Sequence, residues 1–239
     1  MHSVYLPWTY LSGGHWDDFL VLPFAVESSA PRRIAILGDA AGTVARAYGH
    51  YFPRTRVDAV EIDGELTSIG TRYFGLHGPN LHLYTADAKP WLESSHARYD
   101  AIFLDAYMQP YIPFYLVTRE FFSLVRSHLN PGGAVIVNVG HLPGSDALEK
   151  VVTASLHAVF PVVGRDLVSD ANSLVLAGTR PVSARHMVSE SPRDLVPLAG
   201  RVAGQLGPPL RGGQVYTDDT APVEWLTDLS ILQYAIGKR

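Results

Sequence analysis

Short runs of β-branched and aliphatic residues alternate with longer stretches of helical periodicity through the middle of the chain, and this alternation constrains the fold more than any other feature. It begins at Arg33-Ile34-Ala35-Ile36-Leu37 and ends near Val135-Ile136-Val137-Asn138-Val139. Strands separated by helix-length segments pair in parallel, because the helix serves as the crossover. The expected fold is therefore α/β, a Rossmann-like, doubly wound, mostly parallel sheet. Further strands are expected over 57–61, 81–84 and 99–104, the last apolar enough to be buried on both faces. A run over 173–178 is expected to pair antiparallel at the sheet edge.

The helices carry start and stop signals. One begins at Thr43 after Gly38-Asp39-Ala40-Ala41-Gly42 and stops before Pro53, and another starts from Asp63 as N-cap and ends with Gly75 just beyond Phe74. Periodic apolar positions predict helices over 118–128, 147–159 and 194–206, with a turn at 130–133 and a loop over 207–213. The proline-rich stretch Gln109-Pro110-Tyr111-Ile112-Pro113 reads as a loop after the fourth strand. Residues 31–180 form the expected nucleoside-binding core, preceded by a covering segment over 1–30 and followed by an extension over 181–239 that packs on the core.

Composition narrows the function. At 239 residues, with 47% hydrophobic and 18% charged residues, the chain has the material for one substantial core. Its formal net charge of −4 supplies no basic surface for phosphate contacts, which argues against nucleic acid as a partner. Without cysteine there is no disulfide framework, thiolate zinc site or thiol nucleophile. The ten histidines include no helix-spaced pair, so no metal is assigned. No apolar run reaches the ~20 residues that span a bilayer, and the opening Met1-His2-Ser3-Val4-Tyr5 lacks the pattern of a signal peptide. The expectation is a cytoplasmic protein without a membrane partner.

Open parallel sheets bind ligands outside the carboxyl ends of their strands, where the strand order reverses. The residues expected there are Gly38, Asp39 and Gly42, then Glu61 and Asp63, then Asp87, and finally Asp105. Every ionisable member of that set is acidic, and a concave acidic rim attracts cations. Glu61 stands about 20 residues beyond the first turn, where an acidic side chain accepts bonds from ribose hydroxyls. Ala40 and Ala41 weaken any dinucleotide fingerprint, and no Walker-type Gly-Lys-Ser/Thr occurs. A single nucleoside carrying positive charge suits the rim better than a pyrophosphate. Asp63 also reads as a helix cap, Trp16 as a core aromatic, and Tyr107, Tyr111, Phe114 and Tyr115 as either a packed aromatic loop or a substrate gate.

At these residues the sequence resembles the spermidine synthase family of polyamine aminopropyltransferases, in particular the spermidine synthase-like branch often fused to transporter segments. The resemblance runs through Gly13-Gly14-His15-Trp16-Asp17, Leu37-Gly38-Asp39-Ala40-Ala41-Gly42, Val60-Glu61-Ile62-Asp63, Ala86-Asp87-Ala88, Leu104-Asp105-Ala106-Tyr107, Asn130-Pro131-Gly132-Gly133 and Thr217-Asp218-Asp219-Thr220-Ala221-Pro222-Val223-Glu224. It implies a class I methyltransferase-like fold that binds decarboxylated S-adenosylmethionine and passes an aminopropyl group to an amine acceptor, leaving methylthioadenosine. Gly38, Asp39, Gly42, Glu61, Ile62, Asp63, Asp87 and Ala88 would then contact the nucleoside, with Glu61 on the ribose and Asp87 on the adenine amino group. Asp105 would be the general base and Tyr107 would line the acceptor side, with His15, Trp16, Tyr111 and Glu224 as further substrate contacts.

The departures from the family pattern fall on donor-side or amine contacts at Ala40 and on amine-grasping groups elsewhere. Ala40 stands where the family carries an aspartate, Met108 replaces a second aspartate three residues beyond the base, and His15-Trp16 replaces a tyrosine-glutamine pair. The family's amino-terminal hairpin is reduced to a few residues around Val4-Tyr5, and a homodimer is the assembly the resemblance allows. Two other readings share the scaffold: an S-adenosylmethionine-dependent methyltransferase, and a non-catalytic nucleoside-binding regulatory module.

Overall fold

The computed structural model describes residues 3–108, 111–142 and 144–237. Met1 and His2 of the opening segment, Gln109 and Pro110 of the expected loop, and the end of the tail lie outside the described residues. In chain order the elements are α1 (His15–Asp18), β1 (Arg33–Leu37), α2 (Thr43–Tyr51), β2 (Arg56–Glu61), α3 (Gly64–Tyr73), β3 (Leu81–Thr85), α4 (Ala88–Ser94), β4 (Tyr99–Leu104), α5 (Arg119–Ser127), β5 (Leu129–Gly140), α6 (Ala147–His157), β6 (Val162–Leu167), β7 (Asn172–Gly178), α7 (Ala184–Glu190), α8 (Val196–Ala203), β8 (Leu206–Gly207) and α9 (Val223–Gly237). The strands make one sheet in the order β3-β2-β1-β4-β5-β7-β6-β8, parallel from β3 to β5. The order reverses between β1 and β4, and the crevice above that point is where a ligand fits.

Strand periodicity of two divides the core into two layers. Ile34 and Ile36 of β1 point into one apolar cluster with Val44 and Tyr48 of α2 and Phe103 of β4. Ala35 and Leu37 point into the other, with Phe121, Phe122 and Val125 of α5 and Val152 and Leu156 of α6. Full burial of each large side chain contributes roughly 1.5–3 kcal/mol, so sheet and helices hold each other in place from both faces. Helix α5 starts where the Thr118 hydroxyl accepts from the Phe121 N–H at 3.2 Å, and Asp63 caps α3 by accepting from the Glu65 N–H at 2.8 Å. The Asp63 cap sits where the sequence predicts it, and Thr118, expected as the first residue of its helix, is instead the cap.

Several local expectations are corrected. The strand over 173–178 does pair antiparallel, with β5, but β6 and β8 lie beyond it, so it is interior. The β6 run Val162-Val163-Gly164-Arg165-Asp166-Leu167 is hidden in sequence by its charged pair. In the fold Arg165 bonds buried Glu149 of α6, and Asp166 is fully buried. Residues 130–133 belong to β5 rather than to a free turn, with a register irregularity against β4 and Gly132 at φ +88°. Val4 and Tyr5 form no strand; Val4 instead donates its N–H to the Thr43 hydroxyl and so ties the opening segment to α2. The region expected to be one helix over 194–206 is a single 3-10 turn, Arg193–Leu195, followed by α8, because Pro197 sits at the helix start.

The opening and closing segments share the sheet's core. Phe19, Leu20, Leu22 and Phe24 join Met187 of α7 and Leu198, Ala199 and Val202 of α8 in the same buried cluster as β1 and β4. Helix α1 therefore stands at a defined height over the crevice.

Candidate active site

Three strand ends build the floor. After β1 the chain turns through Gly38 at φ +90°, where an added Cβ would lie 2.5 Å from Ala106 Cα and 2.6 Å from the Asp105 carbonyl oxygen. Only glycine permits the β1 and β4 exits to approach this closely. Asp105 donates its N–H to the Leu37 carbonyl at 2.9 Å, locking the two loops together. At the β2 exit, Glu61 accepts from the Ala40 N–H at 2.8 Å and the Asp63 N–H at 2.9 Å. One carboxylate thus organises both the first loop and the start of α3. At the β3 exit, Asp87 caps α4 through the Lys89 N–H and accepts from the Tyr115 hydroxyl at 2.6 Å. Burial, with the Asp87 carboxylate beside it, pushes the Tyr115 phenol up to about 12.

These groups face one cavity of about 770 Å³. Of the residues expected at the site, His15, Trp16, Gly38, Glu61, Ile62, Asp63, Asp87, Ala88, Asp105 and Tyr107 border it. Four do not. Asp39 lies beneath the loop with Oδ1 lacking a hydrogen-bond partner, and burial, reinforced by the Glu61 and Asp105 carboxylates against the Ala45 N–H, holds its carboxyl well above the usual range. Gly42 stands against Leu76, whose side chain fills the space a Cβ would need. Tyr111 donates its hydroxyl to Asp228 of α9 at 2.7 Å outside the cavity wall, and Glu224 is exposed on the same helix.

Asp105 sits in a polar cluster that the sequence reading did not anticipate. The Asn138 Nδ2 donates to Asp105 Oδ1 at 2.7 Å, and Asn138 Oδ1 accepts from Asn172 Nδ2 at 2.9 Å. His15 Nε2 lies 3.5 Å from Asp105 Oδ2, with both side chains largely shielded from solvent. The Tyr107 hydroxyl donates to the Asn138 carbonyl at 3.0 Å and accepts from the Gly140 N–H at 2.6 Å. Burial raises the Tyr107 phenol well above its ordinary range, the Gly140 N–H opposing and the Asp105 carboxylate adding to the shift. Tyr107 is therefore a neutral strap whose ring walls the cavity, whereas Asp105 has one oxygen free of strong hydrogen bonds.

Asn138 had one readable signal, a polar residue interrupting an apolar strand at its carboxyl end. Asn172, His141, Thr227 and Ile231 also border the cavity, brought there by β7, the β5 exit and α9. No local pattern marks them. Among the described residues no group of three or more His, Asp or Glu is arranged to hold a metal ion, and no helix is long and apolar enough to cross a membrane.

No family model matches the chain. It is 34% identical over 151 residues to a probable polyamine aminopropyl transferase of Bifidobacterium longum, covering 63% of this chain and 33% of that protein. It is 35% identical over 112 residues to a polyamine aminopropyltransferase of Vibrio vulnificus, covering 45% and 38%. The chain thus spans about a third of the length of these curated relatives. Among solved structures, a probable spermidine synthase from Corynebacterium glutamicum aligns over 96% of this chain and 79% of its own, with TM-score 0.64 and 23% identity. Human methyltransferase-like protein 13 bound to SAH aligns over 78% and 89%, with TM-score 0.63 and 22% identity. Both share the parallel-sheet fold with its antiparallel edge. In sequence the chain is similar to polyamine aminopropyltransferases over part of their length, and in fold it is similar to a probable spermidine synthase and to a methyltransferase alike.

Proposed function

We propose that the chain transfers an aminopropyl group from decarboxylated S-adenosylmethionine to a small amine. The observation that carries this reading is the meeting of Glu61, Asp87 and Asp105, from the ends of three strands, on one cavity. The names of the related sequences point the same way. Among the described residues that border the cavity there is no lysine or arginine. A donor carboxylate would therefore lie unpaired among acidic side chains, which favours a decarboxylated donor over S-adenosylmethionine.

Each residue has a separable task. Glu61 keeps lone pairs free beyond its two backbone bonds and is positioned to accept from ribose hydroxyls. Asp87 and Ala88 flank the place for the base, with Tyr115 holding the Asp87 carboxylate in orientation. Asp105 accepts the proton that an ammonium must lose before its nitrogen lone pair can attack the carbon bound to sulfur. As the new C–N bond forms, the C–S bond breaks with its electrons going to sulfur, and methylthioadenosine is released. Holding both reactants over one rigid sheet edge supplies the remaining acceleration through proximity.

The test is calorimetry with S-adenosylmethionine, its decarboxylated form and methylthioadenosine, followed by product analysis with a set of amines. Methylthioadenosine release that is lost in Asp105→Asn, with donor binding retained, is the expected result. A methylated product from S-adenosylmethionine would establish the methyltransferase reading instead, and nucleoside binding without turnover the regulatory module.

A further inference from the structure

The cavity has two chemically different halves. At the β1, β2 and β3 exits, Glu61, Asp63 and Asp87 make it acidic, whereas at the β4 and β5 exits, at the start of β7 and under α1 and α9 the ionisable side chains on its wall are Asp105, Tyr107, His15 and His141. Asp105 is the single carboxylate of that second half among the described residues. Its surroundings add no second anion to pair with a cation. The Asn138 amide is engaged on both sides, by Asp105 and by the Asn172 Nδ2, and the Tyr107 hydroxyl is used on both sides by β5, so what remains for a cation is uncharged acceptors such as the Asn172 amide oxygen. Beyond them Trp16, Met108, Leu142 and Ile231 supply apolar wall.

Resting on the aminopropyl-transfer reading, we propose that the acceptor carries one amine nitrogen on an uncharged, partly apolar body. One ammonium can enter and be neutralised by giving its proton to Asp105. A second ammonium in this half would leave water for a wall of imidazoles, amides and hydrocarbon, with no anion to compensate the loss of its hydration. An uncharged tail meets no such cost and gains by covering the apolar wall. Met108 is the position that decides this selectivity. It is largely exposed, lies on the cavity wall near the Asp105 loop, and pairs through its backbone with Tyr111, so a carboxylate there would create the missing second anion without disturbing the core.

The experiment compares butan-1-amine, 4-aminobutan-1-ol and butane-1,4-diamine as acceptors with decarboxylated S-adenosylmethionine, reading methylthioadenosine release and the alkylated amine by mass spectrometry. The same amines are titrated calorimetrically into the full chain saturated with methylthioadenosine. The expected result is a kcat/KM at least tenfold higher for the better monoamine than for the diamine, the same order in binding, and a diamine preference raised at least tenfold in Met108→Asp. Equal or better use and binding of the diamine by the unaltered chain would overturn the proposal. If no amine releases methylthioadenosine, the transfer reading fails, and the calorimetric order of the amines then decides the proposal about the cavity by itself.

Discussion

Asn138 of β5 holds Asp105 at the exit of β4 through a 2.7 Å hydrogen bond from its amide nitrogen, while its amide oxygen is itself held by Asn172 of β7. The Asn172 bond fixes which way the Asn138 amide faces, and the Asn138 bond leaves Asp105 Oδ2 turned toward His15. Three adjacent strands thus set the orientation of one carboxylate, as a supporting shell does at precise sites.

Removal of that support should reduce chemistry more than donor binding. Asn138→Ala is expected to lower kcat about 10–100-fold, the scale typical of lost supporting contacts, with methylthioadenosine affinity within about threefold of the unaltered chain. Single-turnover kinetics beside calorimetry separate the two effects. Unchanged kcat would mean that Asp105 needs no amide to hold it.

Glu61 organises the loop after β1 and the start of α3, where the proposed nucleoside would lie. Glu61→Ala removes acceptors for the Ala40 and Asp63 N–H groups as well as for a ribose, and should weaken methylthioadenosine binding at least tenfold, a cost of about 1.4 kcal/mol. Calorimetry reads this directly. Retained affinity would remove Glu61 from the nucleoside site.

The contact between the β1 and β4 exits predicts a backbone effect. Gly38→Ala would bring a methyl group within 2.5 Å of Ala106 Cα at a backbone with φ +90°, so one of the two loops has to move. A loss of about 2–4 kcal/mol in stability is expected, combining strain with displaced packing. Thermal unfolding checks it, and an unchanged Tm would show that the two loops yield without cost.

A buried carboxyl pair, Asp18 of α1 and Asp166 of β6, lies outside the cavity wall. Asp18 and Asp166 are both fully buried, and Arg201 reaches Asp18 at 2.5 Å. Burial, with the Asp18 carboxylate adjacent and Arg201 opposing, raises Asp166 to about 8. The folded chain therefore holds this proton more tightly than the unfolded chain, and stability falls as pH rises from the ordinary carboxylate range to about 8 and is level beyond it. Asp166→Asn stays neutral throughout and should exceed the unaltered chain in Tm by at least about 3 °C at pH 9, the difference shrinking toward pH 5. A pH-independent difference would rule out protonation as its cause.

Much of the site was legible because its signals are local. Glu61, Asp87 and Asp105 each follow an apolar strand, and the rule that ligands bind at carboxyl ends of parallel strands selects them without coordinates. Asp63 was legible as a cap for the same reason, since a cap acts within three residues of its helix. Tyr111 and Glu224 do not border the cavity, because their position depends on how α9 lies against the loop after β4, and sequence spacing carries no record of that packing.

Sequence alone determined the α/β class, the parallel strands around the crevice and the acidic character of the rim at β2 and β3, because hydrophobic periodicity and strand-end chemistry are properties of short segments. Only the tertiary structure decided how Asp105 is held and what surrounds it. Asn138 and Asn172 are 34 positions apart and meet through the antiparallel pairing of β5 with β7, while α1 and α9 deliver His15 and Ile231 from opposite ends of the chain. Those contacts arise when distant surfaces bury each other, and the free energy that selects them belongs to the packed core as a whole.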